Sequence, residues 1–599
     1  MIRFLHSASL GFVILVLAAC DAAPAPPASQ SVSSIAPREQ LLRLVEHYWD
    51  EYLLLNPQML PESADRPYDG SRGYDISAQF LADPLALERR YLGAVLALPR
   101  LRLDADSRLT YDIFRQEREL AVESFTYPAE LLPVNPFNSM PLLFAQTGTG
   151  EGRYAILSAA DYEHWRARTD DYAQWTRQAI ANMRDGMRRG YALPRVLVEQ
   201  MLPTLAALGA DTPANVFYQP LRTIPATLAD AERNRLSGAI TAGVRDKILP
   251  SYRALHDFLR NEYLPRARSS VGLSALPLGD SWYAYLIKRE TGSSLTPAEI
   301  HNLGVAEVER LRQRLQTALA ETAFAGNARG FFEAMGRDPH VSFKTPDDLL
   351  SFYDELKNQV APSLAALFSQ TPQSDFTIRR VETFREPTAP ALSYQRATPN
   401  GKIAAILYVN AAGISAQPIT AAAAGFLREA VPGHHTQLAI QQERSDLPRF
   451  RRFGGDPAFV EGWGLYAASL GEELGLYRDP ESRITALVGQ LECAAGLVID
   501  TGLHSQGWTR QQAIDYLHAE LPGGEAAARD TVDRVLALPG EALACTLGER
   551  KMQSLRARAL QTLGARFDIR AFHAELLKDG AMPLDILESK ITRWLDDLH

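Results

Sequence analysis

Glu429, His434 and His435 stand close together in the stretch GFLREAVPGHHTQLAI at 425–440. A carboxylate and two imidazoles on an apolar helix are the ingredients of a zinc hydrolase centre. There, histidines on one helix face hold the ion and a glutamate activates the bound water for attack on a carbonyl. In the HExxH arrangement the first histidine immediately precedes the glutamate; here that place is taken by Arg428. A guanidinium stays protonated and has no lone pair to give a metal. The stretch therefore keeps a base and a later histidine while lacking the first ligand.

Elements able to position such a site dominate the chain. From residue 38 helix follows helix. Leu41, Val45, Tyr48 and Tyr52 fall on one stripe that Asn56-Pro57 ends, and 86–99 and 107–124 repeat the pattern. Between Asp161 and Arg189, Tyr162, Trp165, Tyr172, Trp175, Ile180 and Met183 recur at helical spacing among charges, and Gly190 closes the run. Thr296-Pro297-Ala298-Glu299 is an N-cap followed by proline and a capping glutamate. Thr345-Pro346, Asp456-Pro457 and Asp479-Pro480 repeat the cap-then-proline device, and Thr509 with Gln512 forms another capping box. Only 375–410 breaks the rhythm, with the β-prone runs Phe376–Val381 and Ile403–Asn410 predicting a small sheet just before the Glu429 helix. An edge strand at Tyr408–Asn410 would hold an extended peptide by backbone pairing.

The chain has 599 residues, 46% hydrophobic and 22% charged, which is ample for a large buried core. With 71 acidic against 62 basic residues it has no positive excess to neutralise phosphates, so nucleic acid is not expected as a partner.

Residues 1–19 read as a signal peptide: Arg3 starts it, LGFVILVLAA is an apolar run short for a bilayer span, and Leu17-Ala18-Ala19-Cys20 ends it. That ending resembles a bacterial lipobox, which implies a lipidated Cys20 and a body held at a membrane and facing the periplasm. Asp21 resembles an inner-membrane retention signal, and 20–37 is a Pro/Ala/Ser tether. The rest, 38–599, is expected to be a single helical domain, with a break between two lobes near 270–295. Of the three cysteines, Cys493 and Cys545 remain after Cys20 is assigned. A disulfide between them would contribute about 4 kcal/mol in the chain-entropy account; two buried free thiols are the alternative.

The order of motifs adds a resemblance. GYALPRVLVE at 190–199, LTPAEIHNLGVAEVER at 295–310, YVN at 408–410, REAVPGHHTQ at 428–437, FVEGWGLYAASL at 459–470, LGLYRDPESR at 474–483, LVIDTGLHSQGWT at 497–509 and LPGEAL at 538–543 together resemble the bacterial domain of unknown function 885 family, zincin-like lipoproteins. The resemblance implies a mainly α-helical body with a deep central cleft, similar to the helical thermolysin-related peptidases, and a small sheet at 375–410 beside the active-site helix. It implies Glu429 as general base, His434 as a zinc ligand, and Glu461 of the EGWALY-type motif as a further ligand, with Arg428 in the place of the first. His435 or His504 could fill the gap. Cys545 stands where the family carries a tyrosine, and Cys493 and Gly496 where it carries arginines; Tyr408, Asn410, Asp500, His504 and Cys545 would line the cleft.

The expectation is therefore a membrane-anchored, metallopeptidase-like lipoprotein in which zinc is absent or weakly bound, cleavage has been lost, and a peptide or protein partner is held in the cleft. Arg428 would replace the ion's charge by pairing with Glu429 and Glu461. The alternative is a working zinc peptidase whose site is rearranged around His434, Glu461 and His435 or His504.

Overall fold

A computed structural model describes residues 36–59, 75–148, 158–337, 343–383, 385–386, 389–399, 403–412 and 419–598. The signal sequence, Cys20, Asp21 and nearly all of the tether lie outside these residues. Local chemistry sets the helix boundaries. Thr296, Thr345 and Thr509 each complete a capping box, and Asp456 and Asp479 each accept from the backbone N–H three residues on. Ser158 opens the long helix Ala159–Arg189, and Gly190, at φ +84°, closes it in the left-handed conformation that glycine adopts most readily.

The first helix, Pro37–Leu55, buries Leu41, Val45, Tyr48, Trp49 and Leu53. Tyr48 donates to Glu88 at 2.9 Å, and Arg118 reaches the same carboxylate at 2.9 Å while lying over the Tyr48 ring. One buried ion pair thus ties the first helix to its neighbours Ala78–Leu96 and Ala105–Ser124. One hydrophobic cluster is drawn wholly from Val134–Tyr263. The largest joins the first helices to the sheet, the 425–470 region and the C-terminal helices. Within 270–295 lies the helix Gly279–Thr291, whose Trp282, Tyr283, Leu286 and Ile287 pack in one cluster with Leu497 and Leu543.

Pro480–His504 is long and apolar enough to cross a membrane, yet it is buried along most of its length inside the fold. Its main neighbour is the helix Pro297–Ala320, which approaches closely at Gly304: a Cβ there would lie 2.7 Å from Leu497 Cβ.

The small sheet has strands β1 (Phe376–Arg380), β2 (Leu392–Gln395) and β3 (Ala405–Val409) in the order β1-β3-β2. β3 runs parallel to β1, with Phe376 opposite Ala405, and antiparallel to β2, with Leu392 opposite Val409. This corrects the expected edge at Tyr408–Asn410. β3 is the central strand, buried at all its positions, as its unbroken apolar sequence AILYV requires. Tyr408 is spent on that core, and the Asn410 side-chain amide donates to Glu386 O and Ala389 O, both at 2.9 Å. The outer strands are β1 and β2, and β2 leans on the Arg428 helix, where a Cβ on Gly425 would meet Leu392 Cδ1 at 3.0 Å.

Candidate functional site

The expected single helix is two helices. Ile419–Glu429 ends at Glu429, residues 430–433 turn, and His434–Glu443 begins. Pro432, after a cis Val431–Pro432 bond, and Gly433 do more than bend the helix. A Cβ on Gly433 would lie 1.8 Å from Arg428 O and 2.3 Å from Leu427 O, so the turn folds back on the helix it leaves, and only glycine fits. Trp463 holds the turn in place: its indole N–H donates to Pro432 O at 2.9 Å and lies 3.2 Å from Gly433 O.

Trp463 belongs to the helix Pro457–Ser469, which also carries Glu461. This helix meets Ala544–Leu563 backbone to backbone, since a Cβ on Gly548 would lie 1.9 Å from Ala458 O and one on Gly462 would lie 2.4 Å from Gly548 Cα. The contact sets Glu461 and Cys545 on neighbouring helices. Gly464 then leaves room for the site, because a Cβ there would stand 2.5 Å from His434 Nε2 and 3.2 Å from Arg428 Cγ.

Around Arg428 the charges alternate. Its Nη2–H donates to Glu461 Oε2 at 2.8 Å, its Nε lies 3.7 Å from Glu429 Oε1, and its Nη1–H points at Cys493 Sγ at 3.5 Å. His434 Nδ1 is 3.2 Å from Glu429 Oε2, while its Nε2 is buried without a hydrogen-bond partner, 4.0 Å from Glu461 Oε2. His434 is the deepest of the four at 8% exposed, and Arg428 and Glu461 keep 29% and 36% of their side-chain surface. Burial by itself would push His434 down, but the Glu429 and Glu461 carboxylates outweigh it and hold the imidazole above its ordinary value. Burial would likewise raise Glu461, and His434 and Arg428 together bring it below the usual carboxylate range. Arg428, His434 and two carboxylates thus form one cluster.

Tested against zinc, this donor set does not fit as it stands. The Glu461 oxygen a metal would take accepts from Arg428, and the two carboxylates that raise His434 make its proton harder for a metal to displace. The expected substitutes stand elsewhere. His435 turns to the sheet, its Nδ1 3.1 Å from Tyr394 OH and its ring against Phe376, and burial pushes it down to about 4. His504 Nδ1 accepts from Leu273 N–H at 3.1 Å and its Nε2–H donates to Val535 O at 3.0 Å. Both ring nitrogens are therefore committed to backbone, and burial pushes it down to about 4. Cys493 and Cys545, considered for a disulfide, are free and buried, in contact with each other and with Leu465.

Asp500 is fully buried, accepting from Tyr283 OH at 2.5 Å and from Gly540 N–H at 3.0 Å. Burial pushes its carboxyl up to about 7. A pKa raised on folding gives stability that is complete below the ordinary value and lost as pH rises through the folded one. Asp500→Asn is therefore expected to remove the part of the stability loss that the wild type shows between about pH 4 and about pH 7. Urea unfolding across that range checks it, and parallel wild-type and variant curves would refute the assignment.

Sequence reasoning missed Gly464, Trp463, Tyr394 and the Gly462–Gly548 contact. Their roles are contacts across the fold, and no spacing in the chain announces them.

Comparison with curated protein sequences yields no match. Among solved structures, a protein from Colwellia psychrerythraea, provisionally described as a lipoprotein, is 23% identical, with 94% of this chain and 100% of that one covered at a TM-score of 0.86. A second, from Shewanella oneidensis, provisionally described as a lipoprotein of unknown function, is 16% identical over 92% of this chain and 99% of its own, at a TM-score of 0.66. At these identities the likeness is one of fold. The sequence itself matches the description "Bacterial protein of unknown function (DUF885)" over residues 65–591, and the chain belongs to that family.

Proposed function

We propose that this protein is a lipid-anchored, envelope-facing member of its family with a metallopeptidase-like site that has lost cleavage and holds a peptide or protein ligand in its cleft. The reading rests on the Arg428–Glu461 ion pair of 2.8 Å, with Glu429 on the other side of the same guanidinium. Arginine supplies the positive charge two carboxylates need, but it cannot polarise a carbonyl as a Lewis acid or lower the pKa of a bound water. A water beside Glu429 that no metal acidifies is a far weaker nucleophile than a zinc-bound one. The lipobox ending at Cys20 and the lipoprotein descriptions of the two fold relatives support the envelope location, and Asp21 favours the inner membrane. An outer strand resting on the Arg428 helix, β2, supports the reading, since an outer strand can pair with an extended ligand.

Elemental analysis of the protein purified without chelator or added metal tests the reading, beside a Glu461→Ala variant. No zinc above background is expected in either. Stoichiometric zinc in the wild type that disappears in Glu461→Ala would overturn it and establish a working metal site.

A further inference from the structure

The thiols of Cys493 and Cys545 touch one another beneath Arg428, on the helices Pro480–His504 and Ala544–Leu563, and the charge cluster above makes no use of them as a pair. We propose that they form a two-coordinate site for a soft monovalent d10 metal ion, Cu(I) being the biological member of that class.

Donor type and donor number both lead there. Thiolates are soft ligands that select Cu(I) over the harder divalent ions. Among the described residues no three His, Cys, Asp or Glu side chains converge to hold a metal, which disfavours the closed four-ligand sets typical of structural zinc but leaves a linear pair of sulfurs available. Three carboxyls neighbour the pair: Glu461, already paired with Arg428, Glu492, adjacent to Cys493, and Glu549, one turn beyond Cys545. Burial pushes Glu549 up to about 8, and its Oε1 accepts from Gln553 at 2.8 Å and Gln490 at 3.3 Å, so it brings no fixed negative charge.

Arg428 supplies the electrostatics. Cys545 beside it and the Arg428 guanidinium hold Cys493 below the ordinary thiol value against burial, while the same pairing and burial push Cys545 well above it, so the second proton leaves only in exchange for the metal ion. Binding exchanges two S–H protons, released to water, for one Cu(I). The bis-thiolate complex carries a single negative charge, formed beside a guanidinium whose Nη1–H already faces Cys493 Sγ at 3.5 Å. No electron is transferred. The site does not depend on the ligand-holding reading proposed above.

The test titrates the reduced full-length protein in detergent, under anaerobic conditions, with Cu(I) in competition with bathocuproine disulfonate. The wild type is expected to withhold one equivalent from the chelator. Cys493→Ser and Cys545→Ser should each weaken retention by at least about tenfold, since losing a ligand costs no less than losing its supporting hydrogen bond. X-ray absorption of the loaded wild type should give two sulfur neighbours, a readout independent of how the variants fold. Copper surrendered by the wild type as readily as by both variants, or copper held by nitrogen or oxygen neighbours, overturns the proposal.

Discussion

Replacing Arg428 by histidine is expected to give a protein that retains one zinc per chain where the wild type is expected to retain none. The substitution removes the cation 2.8 Å from Glu461 and places an imidazole immediately before Glu429. With His434 and Glu461 it completes the two-histidine, one-glutamate set that catalytic zinc uses, with a position left open for water. Removing the guanidinium also frees the Glu461 oxygen, while zinc, as a divalent cation, favours the neutral form of His434 over the protonated one that the two carboxylates now support. The missing Cβ at Gly464 keeps space for the ring of His434. At free zinc a hundredfold above the dissociation constant, binding would stabilise the variant by about 2.7 kcal/mol. Zinc analysis and thermal unfolding with and without added zinc measure both effects. A folded Arg428→His protein as free of zinc as the wild type would show that more than the first ligand has been lost.

Gly548→Ala is expected to destabilise the fold by about 3 kcal/mol, at the upper end for one added methyl group. The new Cβ would lie 1.9 Å from Ala458 O, 2.9 Å from Ala458 C and 2.7 Å from Gly462 Cα, and all three are backbone atoms. No rotamer change relieves them, so Pro457–Ser469 and Ala544–Leu563 must move apart, taking Glu461 away from Arg428. Gly489→Ala is the contrasting control. Gly489 lies inside the helix Pro480–His504 with nothing within 4 Å of its Cβ position, so alanine there should stabilise by about 0.5–1 kcal/mol through backbone entropy alone. Denaturant midpoints for the three proteins decide it. Equal midpoints for wild type and Gly548→Ala would mean the two helices do not meet at these glycines.

Helix positions were legible because their causes are local. A capping box such as Thr296 with Glu299 closes over three residues, and Gly190 needs only its own φ to end a helix. Pro432 and Gly433 are helix-breaking residues by the same local chemistry, though the size of the disturbance, a break between two helices, depends on how tightly the turn packs on Leu427 and Arg428. The arginine before Glu429 was equally plain in the sequence, because a guanidinium's lack of a lone pair for a metal is a matter of side-chain chemistry.

Distance and order were decided by the tertiary structure. Strand order put β3 between β1 and β2, which no alternation within Ala405–Val409 could state, since an apolar run is compatible with any buried place in a sheet. Charge alone suggested that Arg428 would seek Glu461, 33 residues on. Whether the two meet depends on Gly462 and Gly548 letting two backbones touch. His504 and Asp500 looked like site residues by motif, and burial bound them to Leu273, Val535, Tyr283 and Gly540 instead. Sequence by itself determined which groups this protein has and that a guanidinium stands immediately before Glu429. Only the packing of helices distant in the chain determined which groups face one another, because contacts between remote segments are set by the shape of the whole core and leave no local periodicity to read.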